Sequence, residues 1–326
     1  MTAPKRLGDP HLGRRFNKGV PLARRGEREL MVREDFVRQL DPAGADVHIC
    51  MGDLFDKPQV SYDDLLFAAQ AYMAAAVSNP RTTFYIIQGN HDDSRDLSEV
   101  TAWDVFGQLV RGVQNIQCVI HPMISPDLVL LPWSPTLSAV EMLGEAAKAI
   151  KILGPKVAYG HWDVDPRSSP HNLIPTRELA ELGITTAYTG HIHKPDSFRR
   201  DGVDVTVVGS MQPYAQGEDG QQCDLVRYIT LTLDQLDEVK DILSGACVRL
   251  QLQPGEQAPE TIPDCRSWDV QRMRPVEVEE APADISLDGF DTTQAAKAAL
   301  DAHEIVPEVR EQIETRWTET FGRDLA

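Results

Sequence analysis

The chain has 326 residues, 42% of them hydrophobic and 25% charged, with a net charge of −18 at pH 7. That is enough chain for about two domains, and the composition is that of a soluble globular protein rather than a fibrous or low-complexity one. The most apolar run, 65–77, falls short of the ~20 residues that span a bilayer, and Lys5, Arg6 and Gly8 interrupt anything resembling a signal peptide.

The first 28 residues carry Lys5, Arg6, Arg14, Arg15, Lys18, Arg24, Arg25 and Arg28 against Asp9 and Glu27. A locally basic face is therefore expected on an acidic chain, whose excess acid lies mainly after residue 255. Short β-rich runs then alternate with helical stretches. Strands are expected at 46–51, 83–88, 116–121, 128–133, 156–160, 184–190 and 203–209, and helices near 27–40, 62–78, 101–112, 136–152 and 175–182. This alternation predicts an α/β layered domain over 1–215. Asp201-Gly202, between extended segments, adds an antiparallel hairpin. The 62–78 helix combines Leu65, Leu66, Phe67, Tyr72, Met73 and Val77 with many alanines and almost no polar stripe. It should be buried on more than one side, against another helix of the chain or a second subunit.

After residue 215 the pattern changes to two strands, 225–233 and 246–252, around a short helix, predicting a small α+β piece over 216–275. Residues 276–290 are rich in proline and acid, as a linker is. Within 291–326, Asp291-Thr292-Thr293 caps an alanine-rich helix to about 303 and Pro307 starts a second, which Gly322 ends. Val309, Ile313, Trp317 and Phe321 repeat every four residues along it, a stripe that needs a partner surface. The five cysteines have no paired spacing and read as scattered thiols of a reducing cytoplasm.

Chemistry concentrates at the strand ends. "GDPHLG" supplies Asp9 and His11, "MGDLFD" Asp53 and Asp56, "QGNHDD" Asn90, His91 and Asp92, "YGHWD" His161, and "TGHIH" His191 and His193. In each motif a glycine precedes the first polar residue, which places the polar groups on loops leaving strands, the usual location of sites in α/β sheets. His48, His121, His171 and His303 lack that setting. Two metals need about eight ligand positions and a bridging carboxylate to sit roughly 3.5–4 Å apart. Asp9, His11, Asp53, Asn90, His161, His191 and His193 supply mixed nitrogen and oxygen donors, suited to Mn, Fe, Zn or Co more than to Ca or Mg. With no cysteine among them, a structural zinc finger is excluded.

The order D-x-H, G-D-x-x-D, G-N-H-D, G-H, G-H-x-H resembles the calcineurin-like metallophosphoesterases over residues 8–193. The resemblance implies a four-layer α/β (α+β) fold, a sandwich of two mixed sheets flanked by helices, here with a small α+β cap and a C-terminal helical pair. It implies Asp9, His11 and His193 on one metal, Asn90, His161 and His191 on the other, and Asp53 bridging. His91 would protonate the leaving oxygen or stabilise the transition state, with Asp92 orienting its imidazole and favouring the protonated form.

Within that superfamily, "DPHLGRR", "GDLFD" and "GHIHKPD" followed by "VVGSMQPYAQGEDG" are most similar to the SbcD-type nucleases of DNA double-strand-break repair, in a compact, phage-type form. This implies an exo- or endonuclease of the cytoplasm using two divalent ions, Mn²⁺ first, with Fe, Zn, Co or Mg as alternatives. It also implies DNA as substrate, with Arg14 and Arg15 against phosphates, a homodimer, and a coiled-coil ATPase of the SbcC type docked on the C-terminal helices. The alternative is a small-substrate phosphodiesterase or phosphatase, for a cyclic nucleotide for example, on the same two-metal site.

Overall fold

Alternation along single strands decides where the layers lie. In strand β3 (Thr83–Ile87), Phe84 and Ile86 belong to one apolar cluster while Tyr85 and Ile87 pack with another. In β6 (Val129–Leu131), Val129 and Leu131 face a third cluster, whereas Leu130 joins Ile87. Successive side chains point to opposite faces of a strand, so a strand with two apolar faces must be covered on both. The cluster holding Ile49, Met51, Ile87, Val119, Leu130 and Tyr159 is the layer between two sheets.

The first sheet has the order β1-β2-β3-β4, all parallel, with β1 at Lys5–Leu7, β2 at Val47–Cys50 and β4 at Ile116–Val119. Its outer face is covered by α1 (Glu27–Gln39), α2 (Tyr62–Ser78) and α3 (Ala102–Val110), through Phe36, Tyr72 and Phe106. The second sheet has the order β5-β6-β7-β8-β10-β9 and is mixed. Here β5 is Met123–Ile124, β7 Val157–Gly160, β8 Thr186–Thr189, β9 Asp196–Arg200 and β10 Val203–Val207. Helices α4 (Ala139–Leu153) and α5 (Thr176–Glu181) cover its outer face. The result is the expected α/β sandwich, with two departures. The first sheet is parallel throughout, and the short polar β1 finds its place as an edge strand, where Arg6 lies 4.2 Å over the ring of Tyr188.

A third sheet, β11-β12-β13 (Arg227–Thr232, Ala246–Leu252, Ser267–Arg272), is parallel and carries its own core with α6 (Leu233–Val239). It is tied to the basic N-terminal segment by a bond from Trp268 N–H to Gly19 O (2.8 Å) and by Arg24–Asp264 (2.7 Å) and Arg266–Glu27 (3.1 Å). Helix α2 buries Leu65, Ala68, Ala69, Tyr72 and Ala76, and packs against α3, yet leaves Leu66 and Val77 exposed. The computed structural model describes residues 3–96, 98–218, 225–274, 292–301 and 306–321. The expected linker at 276–290, the Asp291 cap and the Gly322 stop lie outside them. The chain divides into two units, Met1–Met273 and Arg274–Ala326, and the second holds α7 (Thr292–Asp301) and α8 (Pro307–Phe321). Cys50, Cys118, Cys247 and Cys265 are free thiols, and no helix among the described residues is long and apolar enough to cross a membrane.

His48, fully buried on β2 with Nε2 3.1 Å from Gln39 O, has its pKa lowered by burial from 6.5 to about 4. The unfolded chain therefore takes up the proton first, and stability falls as pH drops from 6.5 towards 4, by up to about 3 kcal/mol from this group. His48→Phe keeps the ring packing on Phe84 but loses the bond to Gln39, so it should cost about 1 kcal/mol at pH 7. It should also flatten the loss between pH 7 and pH 5 in urea unfolding. An unchanged pH dependence would assign the acid sensitivity to other groups.

Candidate metal centre

Each site residue sits where a strand has just ended. Asp9 and His11 follow β1, Asp53 follows β2, Asn90 and His91 follow β3, His161 follows β7, and His191 and His193 follow β8. The glycines before them are there for space. A Cβ on Gly52 would strike the His161 ring, and one on Gly89 would strike the Asp53 carboxylate and its backbone N. The backbone is bent as well. Of five non-glycine residues with positive φ among those described, three are site residues: His11 (46°), Asp53 (47°) and His191 (71°). Such conformations cost about 1–3 kcal/mol each and persist only where surrounding structure enforces them.

The side chains converge. Ligand-type atoms of Asp9, His11 and His193 lie within 4.8 Å of one another, as do those of Asp53, His161 and His191, and those of His11, Asp53 and His91. Asp53 is common to the last two groups, with Oδ2 3.7 Å from His11 Nε2 and Oδ1 3.3 Å from His161 Nε2. Asn90 Oδ1 lies 3.0 Å from His161 Nε2 and 2.8 Å from His191 Nδ1. The fit to cations rests on what these atoms lack. Asp9 Oδ1 is buried with no hydrogen-bond partner, and the Nε2 atoms of His11 and His193 face each other at 2.8 Å. Oxygen and imidazole nitrogen pointed at one another are a donor set for divalent transition metals.

The electrostatics agree. Burial, reinforced by nearby Asp53, raises the Asp9 carboxyl to about 7, although the neighbouring imidazoles oppose it. For Asp53 burial is outweighed by His161 and His11, which hold it well below the usual carboxylate range. Against its own burial, His161 is raised to about 9 by Asp53 and Asp9. Burial lowers His11 strongly, and burial with the charge of His161 lowers His191 to about 4.

Several supporting groups went unnoticed in the sequence. His161 Nδ1–H donates to Met51 O (3.0 Å), which leaves Nε2 as the nitrogen available to a cation. His193 Nδ1 bonds Glu218 Oε1 at 3.0 Å, while Glu218 Oε2 accepts Tyr214 N–H at 2.6 Å. Against burial, the Glu218 contact raises His193 and the His193 contact lowers Glu218. No local pattern in "YAQGEDG" marks Glu218 for this work.

The expected role of Asp92 needs correction. Its carboxylate accepts N–H bonds from Leu54 (3.2 Å), Phe55 (2.8 Å) and Gly89 (2.9 Å), so it holds the Asp53 loop rather than the His91 ring. His91 is instead oriented by the carbonyl of Asp56, which accepts from Nδ1 at 2.7 Å, and its backbone N–H donates to Asp53 Oδ1 at 2.9 Å. Of the two arginines expected at phosphates, Arg14 lies at the site, 3.5 Å from Asp56 Oδ1. The Arg15 guanidinium is committed to Asp64 at 2.6 Å and Ser61 at 3.4 Å.

A cation bound at His161 Nε2 would displace the proton that Asp53, 3.3 Å away, favours there. Mn²⁺ affinity should therefore rise with pH up to about 9. Calorimetry at pH 8 in buffers of different ionisation enthalpy should find release of about one proton on binding. Binding without proton release would remove His161 from the ligand set.

Residues 7–195 match the family of calcineurin-like phosphoesterases. No curated protein sequence matches the chain. Among solved structures, the chain is similar to a phosphopantetheinyl hydrolase of Mycobacterium tuberculosis, at 14% identity and a TM-score of 0.40, covering 65% of this chain and 93% of that one. A dimetal phosphatase of Danio rerio matches at 14% identity and a TM-score of 0.40, covering 64% of this chain and 87% of that one. With the match running from β1 through the last two histidines and covering more than half of its length, the chain belongs to the calcineurin-like phosphoesterases.

Proposed function

We propose that the chain is a two-metal DNA nuclease of the SbcD type, working with a coiled-coil ATPase. The observation that carries this reading over a small-substrate phosphoesterase is the cationic seam beside the metal centre. Arg14, Lys18, Arg24, Arg28, Arg249 and Arg266 line it, on a chain whose net charge is −18. Asp56, Asp264, Asp269 and Glu27 pair with all of these but Arg28, so a net positive charge remains on an otherwise acidic chain, which suits a polyanion.

On this reading Asp9, His11 and His193 would hold one divalent ion and Asn90, His161 and His191 the other, with Asp53 shared by both sets and Mn²⁺ the best match to the donors. Bound ions would supply Lewis acidity and bring the pKa of a coordinated water down to about 7. The chain's own residues do the rest. Because a carbonyl can only accept, the bond from His91 to Asp56 O fixes Nδ1 as protonated, and in the imidazolium form Nε2 carries the second proton, which passes to the leaving oxygen. Arg14, held near Asp56 and 5.2 Å over the Tyr214 ring, is placed to meet a substrate phosphate. Asp92 keeps the Asp53 and Gly89 loops in register, so that bridging ligand and general acid move together.

Two partner surfaces complete the proposal. Leu66 and Val77 of α2, with Val105 and Leu109 of α3, remain exposed and suit a second copy of the chain. Val309 and Ile313 on α8 are exposed too, and we assign them to the ATPase.

Linear duplex DNA should be cut in Mn²⁺ and left intact with chelator, and Asp53→Asn should abolish cutting. His91→Ala should reduce it by about 10²–10⁴-fold, the usual contribution of a general acid, with Mn²⁺ affinity retained. Deleting 285–326 should remove stimulation by the ATPase and ATP. Hydrolysis of bis-p-nitrophenyl phosphate with DNA intact even after ATPase addition would favour the small-substrate activity.

A further inference from the structure

Beside the metal centre, across the ring of Tyr214, lies a cavity of about 290 Å³ between the basic segment and the three-stranded sheet. Tyr214 separates the two spaces, with its ring centroid 5.5 Å from His11 and 5.9 Å from His193. The decisive residue is Arg28, which lines the cavity with only 2% of its surface exposed. Its NH1 donates to Gln212 Oε1 and its NH2 to Pro213 O, but its Nε has no hydrogen-bond partner. No ion pair engages it among the described residues, and the Asp35 carboxylate is reached only through Gln212. The guanidinium lies 4.6 Å over the Phe16 ring and 5.9 Å from that of Tyr214, so its flat face is covered, yet no carboxylate among the described residues balances its buried charge, which leaves room for an anion.

Two further observations define the anion. Arg249 of β12 also lines the cavity; its buried Nε makes no hydrogen bond and lies 3.6 Å from Asp269, an acid it shares with Lys18 at 3.0 Å. The remaining wall is aromatic. Phe16 and Tyr214 lie near-parallel, 23° apart in plane, and Tyr228 lines the same space. Guanidinium groups suit a phosphate, and ring faces suit a flat heterocycle. Phe16 and Tyr214 already meet each other and the guanidinium groups of Arg28 and Arg14, which leaves Tyr228 as the ring for a base.

We propose that this cavity is a nucleotide subsite, accepting one nucleoside monophosphate unit with its phosphate towards Arg28 and Arg249 and its base on Tyr228. The nucleotide is either one residue of a DNA strand or a free one. Only the strand as its source rests on the nuclease reading. Arg14, which reaches Asp56 on one side and overlies Tyr214 on the other, links the subsite to the metal centre.

The test is calorimetric titration of the full chain with thymidine 5′-monophosphate in excess chelator, so that the metal centre contributes nothing. Saturable binding is expected, about tenfold or more tighter than that of thymidine or inorganic phosphate. Arg249→Ala and Arg28→Lys should each weaken it by about tenfold or more. Should the buried Arg28→Lys fail to fold, the half-buried Arg249→Ala carries the test. A short oligothymidylate that competes with the mononucleotide identifies a strand as the source, and one that binds alongside it identifies the free nucleotide. Absence of binding in chelator, binding only with Mn²⁺, or binding indifferent to the variants that fold would overturn the subsite. Nucleotide binding without DNA cutting would keep the subsite and remove the nuclease reading. Metal-dependent cutting without chelated nucleotide binding would do the reverse.

Discussion

Two carboxylates buried within reach of the same imidazoles set the terms for the rest of this molecule. Asp9 and Asp53 are both almost wholly withdrawn from water, and each meets His161. Buried charge of that density is tolerable only when paired or shared with cations. A proton on His161 does part of that work, and divalent ions would suit the same donors. The left-handed backbone at His11, Asp53 and His191 and the glycines that clear space for the Asp53 and His161 side chains are the cost of bringing these atoms together.

The sandwich supplies that cost. Its two sheets bury apolar side chains on both faces, and their strands end at the same rim, so five loops are delivered to one point by a rigid scaffold. Backbone groups finish the job. Met51 O and Asp56 O select ring tautomers, and the Asp92 carboxylate ties three backbone N–H groups of neighbouring loops. Precision at the centre thus derives from main-chain bonds that reach between strands distant in sequence.

The small third sheet gives the basic N-terminal segment its shape. Without Asp264 on the loop before β13 and Asp269 within that strand, Arg24 and Lys18 would be ordinary solvated cations. With them, the segment is pinned and Arg28 faces an enclosed space rather than bulk water. Local charge balance, rather than the net charge of the chain, therefore decides what this face attracts.

Much of this was legible in the chain. Glycine before Asp9, Asp53, Asn90, His161 and His191 marked the strand ends, and the apolar runs located β2, β3, β7 and β8, because period and turn chemistry are local properties. The strand β13 escaped notice because "SWDVQR" has little apolar alternation; its identity comes from pairing with β12. Asp92 was assigned to its sequence neighbour His91, whereas the fold turns its oxygens towards Leu54 and Phe55, far off in sequence. Glu218 and the buried Arg28 were equally beyond reach, since a partner contributed by a distant loop leaves no mark on spacing. The sequence by itself determined which donors are present and that each leaves a strand. The tertiary structure alone decided which of them face one another, which carbonyl holds each ring, and which cation is left buried without an anion, because those depend on distances that close only when the sheets pack.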